Sequence, residues 1–416
     1  MAFVWYRMSI MSLVVQKFGG SSVGTVEKIA LVARRVAERR KTGVGLVVVV
    51  SAMQGDTDRL LQMAHEAAKI PDPRETDQLL ATGEQVSAAL LAITLKGMGI
   101  PACSMTGAQL RLRTDGIFSK ARIVSMDTER VHALLDAGNV IVATGFQGVD
   151  AEGNLTTLGR GGSDTSAVAI AAALRADECE IYTDVLGVYT ADPRVCPDAR
   201  KLDTISFEEM MEMASQGSKV LQIRSVELAM NHKMPVRVRS TFSDDPGTLV
   251  CPEEDCENIE RLVVCGVSHN KDEAKITLRS VEDRPGVAAK IFAALAAAQI
   301  NVDVIIQNVA HDGRTDLSFT VGRSDIAQSE EIVQGLLNAV GAVGMDVDDT
   351  IAKVSVVGVG MRAHAGVAAK MFQALCAAGI NIQLITTSEI KVTCVINREQ
   401  VGDAVRALHG AFGLGG

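Results

Sequence analysis

From Leu13 onward, short aliphatic runs alternate with segments in which apolar residues recur at helical spacing. The runs LVVQKF at 13–18, GLVVVV at 45–50 and VIVATGF at 140–146 are almost unbroken, as in strands buried on both faces of a parallel sheet. The predicted helices of this region cover about 25–40, 57–68, the segment after Thr82, 165–174 and 207–214. Strands and helices that alternate in this way predict a layered α/β domain.

Two further strands are predicted at 178–185 and 235–240. The next segment, FSDDPGTLVCPEEDCEN at 242–258, is rich in turn formers and acids, which favours a domain boundary. We therefore predict a first domain over 12–245 and a linker over 246–259.

The N-terminal residues MAFVWYRMSI are apolar enough to resemble a targeting segment, but Arg7 interrupts a run that is too short to cross a bilayer. Met8 and Met11 are further plausible starts, so 1–11 is treated as an N-terminal extension. No other stretch is expected to approach the length of a membrane span.

The C-terminal third contains an internal repeat. GVAAKIFAALAAAQINVDVI begins at Gly286, and GVAAKMFQALCAAGINIQLI begins 80 residues later at Gly366. Segments this similar indicate two copies of one small domain. The pattern of the first copy is strand, helix, strand, strand, helix, strand, which predicts a ferredoxin-like βαββαβ unit over 273–349.

The second copy reaches FGLGG after its second helix without a fourth strand. One unassigned strand pattern, ERLVVCGVS at 260–268, precedes the first copy and would fill the gap. Pairing it would also cover an open sheet edge, which otherwise invites aggregation. We therefore predict a second copy made of 260–268 and 350–416, with the first copy inserted into it. The alternative is a linker strand attached to the first domain.

Composition narrows the range of partners. Apolar residues make up 47% and charged residues 22% of the 416, a globular balance. The net charge of −9 gives no basic surface for nucleic acid or an anionic membrane, so small-molecule partners are expected. The eight cysteines lack the spacing of a zinc site, and no metal held by protein side chains is expected. Scattered thiols fit a cytoplasmic location.

The segment KFGGSSVG at 17–24 follows the first predicted strand and precedes a helix. Backbone N–H groups of a glycine turn at this place can face an anion, and Lys17 would add a cation. The Walker pattern G-x-x-x-x-G-K-[ST] is absent from the chain. Taken alone, the segment is equally consistent with a tight connection between strand and helix.

The segment TTLGRGGSDTSA at 156–167 places Arg160 and Asp164 on either side of two glycines, directly before a helix. The guanidinium and the helix N-terminus could hold an anionic group while Asp164 orients a lysine. Alternatively, Asp164 or Ser163 simply caps the helix. Two glycine loops that each end in charge favour phosphoryl transfer.

A third cluster, EIYTDVLGVYTADPRV at 180–195, carries an aromatic ring and mixed charges beside a strand end. These side chains suit a nucleotide, although a solvated turn explains them equally well. Lys219 in GSKVL, taken alone, is expected to be a surface lysine.

In their order and spacing, the following segments resemble the aspartate kinase family of the amino-acid-kinase fold: KFGGSSVG, VVVSAMQGDTD, LLATGEQVS, GFQG, TTLGRGGSDTSA, EIYTDVLGVYTADPR, FEEMMEMASQGSKVL and VRVRSTFSDDPGTLV. The duplicated tail resembles a pair of ACT domains, so the resemblance extends over residues 12–416. KFGGSS stands where many relatives have KFGGTS, which keeps a hydroxyl. No dinucleotide-binding segment follows, and a monofunctional enzyme is expected.

The resemblance implies a carbamate-kinase-like three-layer α/β domain followed by two ferredoxin-like ACT domains. It also implies phosphorylation of the L-aspartate side chain by ATP, with Mg²⁺ carried mainly on the phosphates. Lys17 would bridge the phosphates and the attacking carboxylate, Asp164 would orient Lys17, and the N–H groups of Gly19, Gly20 and Ser21 would add donors. Because a carboxylate is ionised at neutral pH, no general base is needed.

For aspartate, the resemblance assigns Arg160 to the α-carboxylate and Glu84 to the α-ammonium, with Ser51, Thr57 and Ser163 as further contacts. A planar guanidinium grips a carboxylate with two hydrogen bonds, and an anion offsets an ammonium. The implied nucleotide contacts are Thr183, Asp184, Tyr189, Arg194 and Lys219.

The resemblance further implies the first step of lysine, threonine and methionine biosynthesis, with feedback inhibition by lysine and threonine at the ACT domains. Asp283, Gln307 and Asn381 are the candidate effector contacts, although each could only shape a turn. A homodimer or a dimer of dimers is expected, joined partly through the ACT domains. Another amino-acid kinase of the same fold and a non-catalytic amino-acid sensor remain the alternatives.

Overall fold

A computed structural model describes residues 12–218, 220–256, 263–308 and 313–416. The predicted extension 1–11, the start of the predicted strand at 260–268 and Lys219 lie outside the described residues. The chain divides into two compact units. Within the described residues, unit 1 comprises 12–188, 201–214 and 220–256, and unit 2 comprises 189–200, 215–218, 263–308 and 313–416.

Unit 1 is a layered α/β domain, as predicted. Its helices are α1 (Val26–Lys41), α2 (Asp56–Ala67), α3 (Pro73–Leu80), α4 (Thr82–Gly97), α5 (Glu129–Asp136), α6 (Gly162–Leu174), α7 (Phe207–Ser215) and α8 (Ile223–His232). Its strands are β1 (Leu13–Phe18), β2 (Gly45–Val50), β3 (Ala102–Met105), β4 (Leu112–Thr114), β5 (Ile123–Met126), β6 (Val140–Thr144), β7 (Gln147–Val149), β8 (Leu155–Thr157), β9 (Glu178–Thr183), β10 (Thr204–Ser206), β11 (Val236–Ser240) and β12 (Thr248–Cys251). Helices α3, α5 and α8 were not predicted.

The large sheet of unit 1 has the order β10-β12-β11-β9-β1-β2-β6-β3, and its strands from β11 to β3 are parallel to their neighbours. Every residue of β2 and β6 is buried, which explains their unbroken aliphatic sequences. The Ala-rich helix α6 packs on β1, β2 and β9, so that its N-terminus faces the same edge as the strand ends. A small sheet, β5-β4-β7-β8, completes the unit.

The predicted linker at 246–259 needs correction, because β12 lies within it. This strand pairs antiparallel with β11 and parallel with β10. The turn formers at 244–247, which suggested the end of a domain, form the hairpin that joins β11 to β12. Turn residues occur where the chain changes direction, both in a hairpin within a domain and at a boundary between domains.

Helices α3 and α4 form one helical run, Pro73–Gly97, of which the sequence predicted only the part after Thr82. The run is long enough to cross a membrane, and an 18-residue window within it has a mean hydropathy of 1.2, contrary to the expectation that no such stretch exists. Half of its apolar window is buried inside the fold, however, which is usual for a core helix.

Unit 2 contains the two repeated copies. Its strands are β13 (Gly266–Asn270), β14 (Glu273–Glu282), β15 (Val302–Gln307), β16 (Arg314–Gly322), β17 (Gly344–Asp348), β18 (Ile351–Val357), β19 (Leu384–Thr387) and β20 (Lys391–Asn397). Its helices are α9 (Val287–Ala297), α10 (Ile326–Leu336), α11 (Val367–Ala377) and α12 (Val401–Ala411). The sheet orders are β15-β16-β14-β17 and β13-β18-β20-β19, so β13 occupies in the second sheet the place that β17 has in the first. The predicted ferredoxin-like folds are confirmed.

The two copies meet through a small apolar core and an ion cluster centred on the buried Lys353. Lys353 on β18 is 1% exposed, and its ammonium pairs with Glu273 at 2.5 Å and with Asp303, both from the first copy. Burial raises the pKa of Glu273, and the Lys353 ammonium opposes that rise. The apolar core around this cluster consists of Val304, Ile351, Leu384 and Val395.

Candidate active site

The candidate residues of unit 1 gather where the parallel strands end. Lys17 lies near the end of β1, Ser51 directly follows β2, and Thr183 ends β9, with β1 paired to both neighbours. The Ser51 N–H donates to the carbonyl of Phe18 at 3.1 Å and so extends the pairing into the loops. In open α/β sheets, ligands bind at this carboxyl edge of the strands.

Lys17 and Asp164 form an ion pair, with 2.5 Å between Nζ and Oδ1. The Lys17 side chain is 12% exposed and that of Asp164 is 11% exposed. Asp164 lies in the first turn of α6, whose N-cap is Gly161 and which has no side-chain cap. The alternative role of Asp164 or Ser163 as a cap is therefore not what the structure shows, and the carboxylate is directed at Lys17 instead.

Glu84, in the first turn of α4, is 3% exposed. Its Oε1 accepts the N–H of Ala52 at 3.0 Å, whereas Oε2 is buried without a hydrogen-bond partner among the described residues. Burial raises the pKa of Glu84 to about 7, against the lowering effect of the Ala52 hydrogen bond. A half-satisfied buried carboxylate is costly unless a ligand completes it, so Oε2 is a ready partner for a cation.

Close backbone approach holds α4 against the loop after β2. A Cβ added at Gly83 would come 2.8 Å from the Cβ of Ala52, a distance that real side chains do not adopt. Ser87, one turn further along α4, donates its hydroxyl to the carbonyl of Ser51 at 2.6 Å. The TGE sequence thus needs its glycine to place Glu84 within reach of the Ala52 N–H.

The glycine turn after β1 is partly committed to its own hydrogen bonds. The Gly19 N–H donates to the Tyr182 carbonyl at 3.4 Å. This N–H group is therefore already engaged and is not free to donate to a phosphate, the role that the sequence had predicted. Ser22 donates back to the Gly19 carbonyl at 2.9 Å, and the carbonyl of Ser21 accepts Lys28 Nζ at 2.9 Å. Among the described residues, these bonds leave the N–H groups of Gly20 and Ser21 as donors for an anion.

The remaining aspartate candidates lie on three different elements. Thr57 is in the first turn of α2, Ser163 is 7% exposed in the first turn of α6, and Arg160 is exposed on the turn before α6. Among the described residues, Arg160 has no ion-pair partner within 4.0 Å. Its guanidinium is thus available to an incoming carboxylate.

The nucleotide candidates are divided between the units. Thr183 and Asp184 belong to unit 1, where the Thr183 hydroxyl donates to Asp184 at 3.1 Å. Tyr189 and Arg194 belong to unit 2. The Arg194 guanidinium donates to both carboxylate oxygens of Asp192, at 3.0 and 2.8 Å, and these hydrogen bonds lower the pKa of Asp192. The structure therefore does not show these residues as one cluster, and Lys219 lies outside the described residues.

A buried polar network behind Lys17 was missed by the sequence analysis. Glu180 on β9 is 1% exposed and accepts hydrogen bonds from Gln16 Nε2 at 2.6 Å and the Tyr182 hydroxyl at 3.1 Å. Arg39 and Arg239 reach the same carboxylate at 3.2 and 3.5 Å. Burial also raises the pKa of Tyr182. The sequence signal that could have revealed this network is one polar residue in each of two aliphatic strands, Gln16 in β1 and Glu180 in β9. Their hydrogen bond joins β1 to β9 beside the site.

The three effector candidates lie on unit 2. Asp283 and Asn381 are exposed just before α9 and β19, and Gln307 is exposed at the end of β15. Val304 of β15 packs in the same apolar core as Leu384 of β19. Strands β15 and β19 of the two copies are therefore neighbours.

Sequence comparison identifies the families to which these parts are similar. Residues 12–240 match the Amino acid kinase family, and residues 276–338 and 354–412 each match an ACT domain. An aspartokinase of Pseudomonas aeruginosa is 55% identical over 404 residues, which is 97% of this chain and 98% of that protein. An aspartokinase of Mycolicibacterium smegmatis is 48% identical over 409 residues, covering 98% of this chain and 97% of that protein.

Structural comparison agrees. E. coli aspartokinase III in complex with aspartate and ADP (R-state) superposes with a TM-score of 0.80 at 26% identity, covering 96% of this chain and 99% of that one. The same enzyme in complex with lysine and aspartate (T-state) gives a TM-score of 0.77 at 26% identity, with 96% and 99% covered. With these matches over almost its entire length, the chain belongs to the aspartate kinase family, phosphotransferases with a carboxyl group as acceptor.

Proposed function

We propose that the chain transfers the γ-phosphoryl group of ATP to the side-chain carboxylate of L-aspartate, giving ADP and 4-phospho-L-aspartate. The observation that carries this proposal is the partly buried pair of Lys17 and Asp164 at the carboxyl edge of the parallel strands. An intact catalytic pair argues against a silent amino-acid sensor. The buried Glu84 oxygen that has no hydrogen-bond partner among the described residues argues for a substrate with an ammonium group.

In this mechanism the protein neutralises charge rather than removing a proton. The attacking carboxylate is already ionised, so the barrier is set by repulsion between it and the phosphoryl oxygens. The Lys17 ammonium, fixed by Asp164, lies between these anions, and the N–H groups of Gly20 and Ser21 donate to the phosphate. The Gly19 N–H can join them only by giving up its long bond to Tyr182.

Aspartate is held at both ends of its backbone. Oε2 of Glu84, which has no partner among the described residues, accepts the α-ammonium. Arg160 grips the α-carboxylate with its planar guanidinium. Ser51, Thr57 and Ser163 supply the remaining polar contacts. This orientation leaves the side-chain carboxylate to react, which distinguishes aspartate from carbamate or uridylate.

ATP binds through Thr183, Asp184, Tyr189, Arg194 and Lys219 in this proposal. A complex of E. coli aspartokinase III with aspartate and ADP supports a nucleotide site in this fold. The described residues contain no group of three acidic, His or Cys side chains that could hold a metal ion. We propose that Mg²⁺ is carried on the phosphates of ATP, where it would offset their charge.

The replacement Lys17→Ala tests the proposed mechanism. We expect kcat to fall by at least about a hundredfold, because the main counter-charge of the transition state is lost, while the fold is kept. ADP release is measured in a coupled assay with aspartate, glutamate, carbamate and uridylate offered in parallel. Lys41→Ala, which removes an exposed lysine from α1, is the matched control.

Two results would count against the proposal. If the Lys17→Ala variant kept more than about a tenth of the wild-type kcat, Lys17 would not be central to the chemistry. If the wild-type protein released ADP faster with another acceptor than with aspartate, the substrate assignment would be wrong.

The raised pKa of Glu84 predicts how aspartate binding depends on pH. The carboxylate must be ionised to hold the ammonium, and the pKa of Glu84 is about 7 in the free protein. The KM for aspartate should therefore fall by about tenfold as the pH rises from about 6 to 8, since each pH unit below the pKa costs a factor of ten. Glu84→Gln should raise this KM at every pH and flatten the profile. Glu66→Gln, at an exposed position of α2, should behave like wild type.

The raised pKa of Glu84 also predicts how the stability of the protein depends on pH. Whereas aspartate binding should improve as the pH rises, stability should fall. Its pKa rises from 4.5 when unfolded to about 7 when folded, so its neutral form favours folding at low pH. That contribution, about 3 kcal/mol, is lost as the pH rises through this window. Denaturant titrations without ligand should show wild type losing stability relative to Glu84→Gln between pH 5 and pH 8. A constant difference in stability would contradict the raised pKa that burial gives Glu84.

We further propose that the enzyme opens the biosynthesis of lysine, threonine and methionine in the cytoplasm and is inhibited by lysine and threonine. The E. coli relative was captured with lysine in its T-state, which supports a lysine site in the family. Asp283 lies before the N-terminus of α9, where an effector carboxylate and ammonium could both be held. Gln307 and Asn381 lie on the neighbouring strand regions of the two copies.

Effector titration tests this regulatory site. Lysine, threonine and both together are titrated against the wild-type protein and Asp283→Ala, with Asp272→Ala on the β13–β14 turn as the control. We expect the wild type to be inhibited and Asp283→Ala to require about tenfold more effector, the usual scale of allosteric coupling. An unaffected wild-type rate would refute the feedback proposal, and an equally sensitive variant would refute the role of Asp283.

We propose a homodimer or a dimer of dimers joined partly through the ACT copies. Strands β15 and β19 end their sheets, and Ile305 and Ile385 on them are 51% and 44% exposed. Open edges with exposed apolar residues favour pairing with a second chain. Light scattering at micromolar concentration should give a multiple of the 44.0 kDa chain mass. A value equal to one chain would refute the association.

A further inference from the structure

A short stretch of the kinase sequence is built into the second ACT copy. Residues 189–200 lie inside the span that matches the Amino acid kinase family, yet they belong to unit 2. We call them the inserted segment. Ala191 and Cys196 of this segment are each 3% exposed. They share the hydrophobic core of the second copy with Val267, Leu408 and Leu414.

Thr190 is the polar anchor of the inserted segment and is fully buried. Its carbonyl accepts the N–H of Val267 on β13 at 2.7 Å. Its hydroxyl lies 2.9 Å from His409 Nε2, 3.3 Å from the carbonyl of Leu414 and 3.1 Å from the N–H of Arg200. The hydroxyl has one proton, and donating it to the Leu414 carbonyl leaves the imidazole N–H to donate to the hydroxyl.

The end of the chain closes over the same segment. After α12, Leu414 is fully buried, and Gly415 forms an antiparallel bridge with Ala199. Arg406 on α12 donates to the Val195 carbonyl at 3.1 Å. Burial lowers the pKa of His409, which favours its neutral form beside Thr190. Side-chain, backbone and apolar contacts thus fix the inserted segment to residues 406–415.

A second stretch of the kinase sequence also belongs to unit 2. It comprises residues 215–218, of which Gln216 is 2% exposed and accepts the Ser355 hydroxyl at 3.0 Å. Gly217 has a φ of 102°, and a Cβ there would come 2.3 Å from the carbonyl of His269. Only glycine fits this approach. The stretch directly precedes Lys219, another nucleotide candidate.

We propose that Thr190, held by His409 and Leu414, is a positioning residue for ATP. It adjoins Tyr189 and fixes the segment that carries Arg194, so the C-terminal tail of the second ACT copy sets the conformation of two proposed nucleotide contacts. The inference rests on the proposed function for those two contacts. A segment ordered before binding spares ATP the entropy cost of ordering it. Aspartate, whose proposed contacts all lie on unit 1, gains nothing from the anchor.

The test compares a variant that lacks the Thr190 hydroxyl but keeps the side-chain shape with a variant that keeps the hydroxyl. Thr190→Val keeps the shape and removes the hydroxyl, whereas Thr190→Ser keeps the hydroxyl. Removing one buried hydrogen-bonding partner from His409 and Leu414 should raise the KM for ATP by about tenfold in Thr190→Val. Thr190→Ser should stay within about threefold of wild type, and the KM for aspartate should change by less than about twofold in both variants, since aspartate contacts are untouched.

A second pair of variants covers the case in which Thr190→Val does not fold. Leu414→Ala removes apolar packing over the inserted segment, and Leu295→Ala removes an equally buried leucine from the core of the first copy. We expect only Leu414→Ala to raise the KM for ATP. Calorimetric titration with a non-hydrolysable ATP analogue should show the same loss of affinity without any turnover.

Equal effects on ATP and aspartate, or equal effects of Leu414→Ala and Leu295→Ala, would overturn the positioning role and leave only a structural one. An unchanged KM for ATP in Thr190→Val would do the same. Failure of the proposed function has a different signature, because the wild-type protein would then show no aspartate-dependent ADP release. The calorimetric comparison of Thr190→Val with Thr190→Ser would still test whether the anchor supports nucleotide binding.

Discussion

The ion pair between Lys17 and Asp164 is the contact on which the proposed chemistry depends. Both side chains are almost buried, and either charge alone at this place would carry a large desolvation cost. The two charges therefore offset each other, and their contact fixes the end of β1 relative to the N-terminus of α6. The pair provides a positioned cation at the carboxyl edge of the sheet, where a transferring phosphoryl group needs one.

The rest of unit 1 supports that pair. The Glu180 network joins β1 to β9 behind Lys17, and the close approach at Gly83 brings Glu84 to the loop after β2. Among the described residues, Glu84 then has one buried oxygen with a hydrogen bond and one without, a state that costs stability and that a bound ammonium would relieve in the proposed mechanism. The ion pair and the half-satisfied carboxylate thus lie at the same edge of the sheet.

Much of this arrangement follows from the sequence, because buried parallel strands require unbroken aliphatic runs and a repeat requires two similar domains. Strand counting also indicated that a strand before the first copy pairs with β18, as β13 does. The sequence could not show that β12 continues the large sheet, since turn residues mark hairpins and boundaries alike. Nor could it place residues 189–200 in unit 2: Ala191 and Cys196 are too few to form a pattern, and the ACT residues that they contact lie far along the chain, from Val263 onward. The sequence also could not show that Arg194 donates a hydrogen bond to its near neighbour Asp192, because this contact depends on the conformation of the turn.

The most direct test of the account is a double-mutant cycle on kcat/KM for aspartate with Lys17→Ala, Asp164→Asn and the double variant. If Asp164 acts by orienting Lys17, the double variant should be impaired no more than about twofold beyond Lys17→Ala alone, because nothing remains to orient. If the two losses multiply instead, the residues act independently, and the pair is not the centre of the mechanism.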